Sequence, residues 1–286
     1  MSQYEFIFTG NPSREVPLGT ILVVPMPTAI VIAYTDEGFV AVSDGLATNK
    51  SGTTNSDAEQ KIFPIRSASY QLVLGVSGAA SLLEKNEKSD ISPRKDIFKK
   101  IFCDTIEQLN CYSFSTLTEY SERFVSEVRT KVIPYLTDDI FSDISQKLEV
   151  RLVFAGYFNA EPSLSDFVLS LSKGVCGKID ESGKHRRRVG KSYIIGSIKV
   201  ALSLIIGKEF AEFSTPDFEK IYYGHSDLSL LAALVSAKNY ISACETPSAR
   251  DLCDYCKSIG GDKSVATITP SEGFKWVEQP KKPYCL

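Results

Sequence analysis

A threonine, an aspartate and a lysine stand at the ends of three apolar segments near the start of the chain. Thr28 opens TAIVIAY, Asp44 closes FVAVSD, and Lys61 opens KIFPI. If these segments pair as strands, a hydroxyl, a carboxylate and an ammonium meet at one edge of a sheet. A threonine hydroxyl is a weak nucleophile by itself. It becomes useful when a neighbouring amine takes its proton and a lysine offsets the developing charge. A backbone N–H at the Ser77-Gly78 turn then suits an oxyanion. The same residues have a plainer reading, with Thr28 a strand threonine, Asp44 a turn residue and Lys61 a solvated strand-end charge.

The elements needed to position them follow from pattern. Thr28 to Tyr34 is β-branched and apolar, Asp36-Glu37-Gly38 turns, and Phe39 to Val42 is apolar again, which predicts a hairpin. A second apolar pair, Lys61 to Ile65 and Gln71 to Val76, stops at Gly75 and Gly78, with a helical segment expected at 79–83. The period then becomes helical over 93–110 and about 115–136, where Leu117, Tyr120, Phe124, Val128 and Val132 form a stripe. Phe98, Phe102, Tyr112, Phe114 and Tyr135 exceed what one sheet layer covers, so some are expected in an interface between subunits. Leu148 to Phe158 and Asp166 to Leu171 read as strands, and 173–193 as a hairpin whose basic tip, KHRRR, is a solvated turn. A strand passes into a helix at Gly196-Ser197, where Ser197 suits an N-cap. Helices over 226–243 and 248–257 precede closing strands around 265–268 and 274–277.

The run TAI, then GFVAVSDGLAT, EQKIFPI and LGVSGAAS, resembles the opening of proteasome β-type subunits and their bacterial relatives, the N-terminal-nucleophile hydrolases. LEVRLVFAGYF, YIIGSIKVALSLI and SIGGDKSVATI continue the resemblance over roughly residues 20–278. It implies an α+β fold, a four-layer αββα sandwich, and a site in which Thr28 is the nucleophile, Asp44 and Lys61 tune it, and Gly78 holds the oxyanion. Ser197 falls on the serine of the family's G-S-G turn, with Ile198 in place of the second glycine. Ser258, near Gly260-Gly261, and Asp254, four residues before it, fall near the serine and aspartate that complete the family's site. The family's threonine is freed by attack of its own hydroxyl on the preceding carbonyl, usually that of glycine. Here that residue is Pro27, which fixes φ and drives Met26 toward extended geometry.

With 286 residues, 43% hydrophobic and 23% charged, the chain is long enough for one full core. We expect an N-terminal extension or propeptide over 1–27 and a single domain over 28–286. A net charge of −3 and a pI near 5.6 give no broad basic surface, so nucleic acid is not an expected partner. Seven cysteines suit reduced thiols in a cytosol. No secretory segment or apolar run of about 20 residues is found, so a soluble cytoplasmic protein without membrane contact is expected. Cys253 and Cys256 have metal-ligand spacing but lack a second Cys/His pair nearby, so neither a metal nor a cofactor is expected.

Two functions remain open. One is a threonine peptidase or amidohydrolase acting on peptide or protein substrates. The other is a catalytically inactive, α-subunit-like ring scaffold that keeps its N-terminal extension. Asp44 and Lys61 favour the first; Pro27 and the long lead-in favour the second. Either implies a homo-oligomeric ring and admits an unfoldase partner.

Overall fold

A computed structural model of the chain describes residues 28–48, 54–56, 58–78, 97–135, 148–172, 175–179, 192–206 and 209–281. The expected extension over 1–27, the helical start at 79–83 and the tip at 184–188 lie outside them. The described strands form two antiparallel five-stranded sheets and one small pair. The first sheet has the order β10 (Tyr193–Ile195), β1 (Ile30–Thr35), β2 (Gly38–Ser43), β11 (Ser264–Thr269), β12 (Gly273–Glu278). The second runs β5 (Ile62–Arg66), β6 (Tyr70–Gly78), β7 (Leu148–Phe158), β8 (Glu161–Ser172), β9 (Val175–Ile179). Strands β3 (Ala47–Thr48) and β4 (Thr54–Ser56) pair with each other. Among the described residues six α-helices accompany them: α1 (Ile97–Leu109), α2 (Leu117–Val132), α3 (Ile198–Ile206), α4 (Pro216–Tyr223), α5 (Leu230–Cys244) and α6 (Pro247–Leu252).

The strands are nearly continuous apolar runs because successive residues feed different cores. Ile30 and Ile32 of β1 join Val73, Val153 and Ala155 of the second sheet in one cluster. The intervening Val31 and Ala33 join α3, α5 and α6 residues such as Val200, Ala237 and Ala249. Leu72, Leu74 and Val76 of β6 point the other way, into a cluster with α1 and α2. The apolar faces thus leave water on both sides of each sheet, which is the main stabilising term. No helix among the described residues is long and apolar enough to cross a membrane.

Helix ends follow local chemistry. Thr116 caps α2 through the Glu119 N–H, while the Glu119 carboxylate accepts from the Ser115 N–H, one residue before the cap. The helix α4, absent from the sequence-based expectations, carries its own signals: Thr215 caps the Phe218 N–H, Pro216 occupies the first turn, and Gly224 ends it at φ 75°. Two other expectations change. Phe98 and Phe102 are fully buried, with Phe102 stacking on Phe124 and Phe124 edge-on to Phe154, so they fill the protein's own core rather than an interface. Tyr112, another of those residues, is exposed, and further exposed apolar residues line α3 (Ile198, Leu202 and Ile206) and α5 (Leu231 and Val235). Cys103 is disulfide-bonded, against the expectation of reduced thiols throughout, whereas Cys111, Cys244, Cys253 and Cys256 are free.

Where β6 and β7 pair, Leu72 faces Gly156, which has φ 142° and comes so close that an added Cβ would meet the Gln71 carbonyl oxygen at 2.2 Å. Gly156→Ala is therefore expected to destabilise the protein by roughly 1–3 kcal/mol. Urea unfolding, followed by a shift of midpoint at constant slope, measures it.

Candidate active site

Asp44 leaves β2 at its end, and its side chain turns back across the neighbouring segments. One carboxylate oxygen accepts the Ala29 N–H at 2.8 Å. Lys61 Nζ donates to both oxygens at 2.8 Å and to the Leu46 carbonyl at 2.8 Å. The second oxygen also takes the Leu46 and Gly260 N–H groups at 3.3 Å each. Asp44 is 0% exposed and Lys61 2%. Burial pushes the Asp44 carboxyl up from the ordinary carboxylate value, opposed by the Lys61 charge and the hydrogen bonds it receives. Burial likewise pulls the Lys61 ammonium down, opposed by Asp44.

The ladders bring further residues to the same end of the fold. The Asp44 N–H bonds the Ala29 carbonyl at 3.1 Å, and the Gly45 N–H bonds the Gly260 carbonyl at 2.9 Å. In β6 the Val76 N–H bonds the Lys61 carbonyl at 2.8 Å, and Gly78 ends that strand two residues later at φ 94°. Ile195 of β10 faces Ile30 of β1, and the chain leaves the ladder there, Ser197 lying two residues beyond Ile195 and Thr28 two residues before Ile30. Asp44 and Lys61 thus meet beside Ala29, the residue after Thr28, with Gly78 and Ser197 each two residues beyond a paired position at this end of the fold.

Ser197 is buried and serves as a cap, its hydroxyl accepting the Val200 N–H at 3.3 Å. Gly196 before it has φ 140°, and an added Cβ there would meet the Tyr240 hydroxyl at 2.3 Å. Asp254 and Ser258 begin and end a 3-10 helix, Asp254–Ser258. The Asp254 side chain is 91% exposed and paired with Lys257 at 2.6 Å, so the structure does not bring it to the Asp44 network. The Lys257 ammonium holds that carboxyl below its ordinary value. Ser258 is half-buried, two residues before Gly260.

The residue between Asp254 and Cys256, Tyr255, is the one that reaches Thr28. Its hydroxyl accepts the Thr28 N–H at 2.8 Å and donates to the Thr28 carbonyl at 2.9 Å. Burial pushes this phenol well above its ordinary value, so the oxygen keeps the proton it donates. Sequence reasoning missed Tyr255 because 227 residues separate it from its partner. No local pattern in the sequence marked it. Thr28 itself is 1% exposed. Among the described residues no group of three His, Cys, Asp or Glu side chains is arranged to hold a metal ion.

Removing one partner of the Asp44–Lys61 pair strands a desolvated charge. Lys61→Met and Asp44→Asn are each expected to cost about 3–5 kcal/mol. The double variant should lose less than their sum, and chemical denaturation of all four proteins gives the coupling.

No protein-family model and no curated protein matches the chain. Among solved structures it is similar to Anbu (ancestral beta-subunit) from Yersinia bercovieri, with a TM-score of 0.50 and 13% sequence identity over 90% of this chain and 89% of that one. An Anbu (Gly-1) mutant from Hyphomicrobium sp. strain MC1 gives a TM-score of 0.49 and 14% identity over 88% and 85% of the two chains. At such identity the likeness is one of fold: two antiparallel sheets with helices, arranged as in an ancestral beta-subunit.

Proposed function

We propose that the chain is a proteasome-like threonine hydrolase that cleaves amide bonds of peptide or protein substrates, built as a four-layer αββα sandwich over 28–286. The observation that carries this reading is the Asp44 carboxylate, which joins Lys61 Nζ and the Ala29 N–H at 2.8 Å and so fixes a buried cation beside the residue that follows Thr28. In this reading the bond between Pro27 and Thr28 is cut first, which frees the Thr28 amine. That amine, through a water, takes the proton of Thr28 Oγ as the oxygen attacks the substrate carbonyl carbon. The Gly78 N–H receives the oxyanion while the Lys61 charge lowers the cost of forming it. Collapse expels the leaving amine with the transferred proton and leaves an ester on Thr28, which water hydrolyses. Tyr255 holds the Thr28 backbone in place and Ser197 caps the start of α3; Ser258 and Asp254 have no step in this scheme.

A second reading has one observation in its favour. Thr28 is almost fully buried and both of its backbone polar groups are held by one tyrosine, as suits a scaffold that keeps its N-terminal extension. Intact mass separates the two. A hydrolase is expected to lose residues 1–27, Thr28→Ala to keep them and show no peptidase activity, and Thr28→Ser to keep part of both functions. Active protein whose mass includes residues 1–27 overturns the scheme.

Self-association into a ring belongs to both readings, and the apolar face of α3 supports it. Ile198, Leu202 and Ile206 recur every four residues on the side opposite buried Val200, Ala201 and Leu204. Light scattering is expected to give a multiple of the protomer mass found by intact-mass measurement for the wild type and a smaller species for Leu202→Glu with Ile206→Glu. A wild-type monomer at micromolar concentration removes the ring.

A further inference from the structure

Tyr255, which binds both polar groups of the Thr28 backbone, lies inside a Cys-x-x-Cys segment, Cys253-Asp254-Tyr255-Cys256. The segment is a tight turn. The Cys256 N–H bonds the Cys253 carbonyl at 2.9 Å, and Cys253 stands at the mouth of the 3-10 helix with extended backbone and no side-chain cap bond. Such a turn holds its end residues within about 7 Å, the span that a disulfide between them needs. The Cys253 side chain acts on the Cys256 thiol and helps to lower it. Cys253 is half-buried and reachable from solvent, whereas Cys256 is buried beneath it.

We infer that Cys253 and Cys256 form a thiol–disulfide exchange site for small disulfides, and that its redox state is passed to Thr28 through Tyr255. The half-buried Cys253 sulfur, after giving its proton to water, attacks a low-molecular-weight disulfide RSSR. This forms a mixed disulfide and releases one thiolate RS−. The Cys256 thiolate then attacks Cys253 Sγ, closes the internal disulfide and releases the second RS−. Two protein thiols are oxidised, one RSSR is reduced to two RSH, and the protons balance.

The surroundings of Cys256 suit the second step. Hydrogen bonds from Cys244 first, then from Ser197 and Cys253, with the Arg250 charge nearby, bring its thiol down to about 7 against the opposing effect of burial. Cys244 is itself buried and pushed well up by desolvation, so it stays a protonated donor. Groups of the surrounding elements face these thiols: Tyr240 of α5, whose hydroxyl donates to the Ser197 carbonyl, acts on Cys244, and Ser197 enters from the start of α3. A reduced form stabilised in this way makes the dithiol the resting state and the disulfide easily reversed. Closing the disulfide pulls the two ends of the turn together and shifts Tyr255 between them, away from its paired bonds at 2.8 and 2.9 Å.

The exchange chemistry stands without the proposed hydrolase; only the effect on activity rests on it. The full-length protein is incubated with glutathione disulfide, alkylated and mapped by mass spectrometry. An internal Cys253–Cys256 disulfide is expected, reversed by dithiothreitol, while exposed Cys111 yields at most a mixed disulfide. Cys253 alkylation in the Cys256→Ser variant and mixed-disulfide accumulation on Cys253 should identify the attacking sulfur. Hydrogen exchange of peptides covering residues 28–34 should rise on oxidation in the wild type and not in Cys253→Ser. Where peptidase activity is present, oxidation is expected to lower it on the order of tenfold, as a displaced reacting group does, and Cys253→Ser should keep the reduced wild-type rate under both conditions. Free Cys253 and Cys256 after the treatment, or a Cys244–Cys256 pairing, overturns the site. A correct disulfide with unchanged exchange at 28–34 overturns its link to Thr28, whatever the outcome for hydrolysis.

Discussion

A carboxylate taken fully out of water is tolerated only when its lone pairs are answered, and Asp44 has five answers. Lys61 Nζ supplies two, and the N–H groups of Ala29, Leu46 and Gly260 supply three. These donors come from the entry to β1, the turn after β2, the entry to β5 and the loop before β11. Because β2 belongs to one sheet and β5 to the other, the pair fixes how the two sheets meet at this end. A pair so deeply buried is weak evidence of added stability, since desolvation offsets much of the attraction. It is better evidence of specificity: a slip of one residue in β1 or β2 would strand Asp44 among apolar side chains.

That constraint explains what could be read from residues alone. Asp44 and Lys61 interrupt apolar runs at their ends, and a polar break in a buried strand is visible without a fold. The strands showed as runs rather than alternations because helices and the opposite sheet bury both faces. Phe98 and Phe102 looked surplus because periodicity counts apolar residues on a helix but not the width of the partner. In the structure α2 and β7 meet them through the Phe102, Phe124 and Phe154 rings. The reverse error left the outer face of α3 unremarked, since Ile198, Leu202 and Ile206 sit in a helix whose only polar residues are Lys199 and Ser203. Tyr255 was not legible at all. Its role depends on a 3-10 turn and a contact across nearly the whole chain, and no local pattern encodes either.

The Thr28 end of β1 also gains from what Tyr255 cannot do. A phenol has one proton and can accept in return. Here the proton goes to the Thr28 carbonyl, so the oxygen meets the Thr28 nitrogen only as an acceptor. A tyrosinate would lose the first bond, but burial holds the phenol far above neutrality. Asp44 and Lys61 shift in opposite directions under burial, yet each opposes the other's shift, and neutralising either alone would leave its partner as an uncompensated buried charge. The hydrogen bonds and charge around Cys256 instead draw its thiol down to about 7 against the opposing effect of burial. Through Tyr255, the exchange proposed at Cys253 and Cys256 reaches this end of the sheet separately from the ion pair that fixes the sheets.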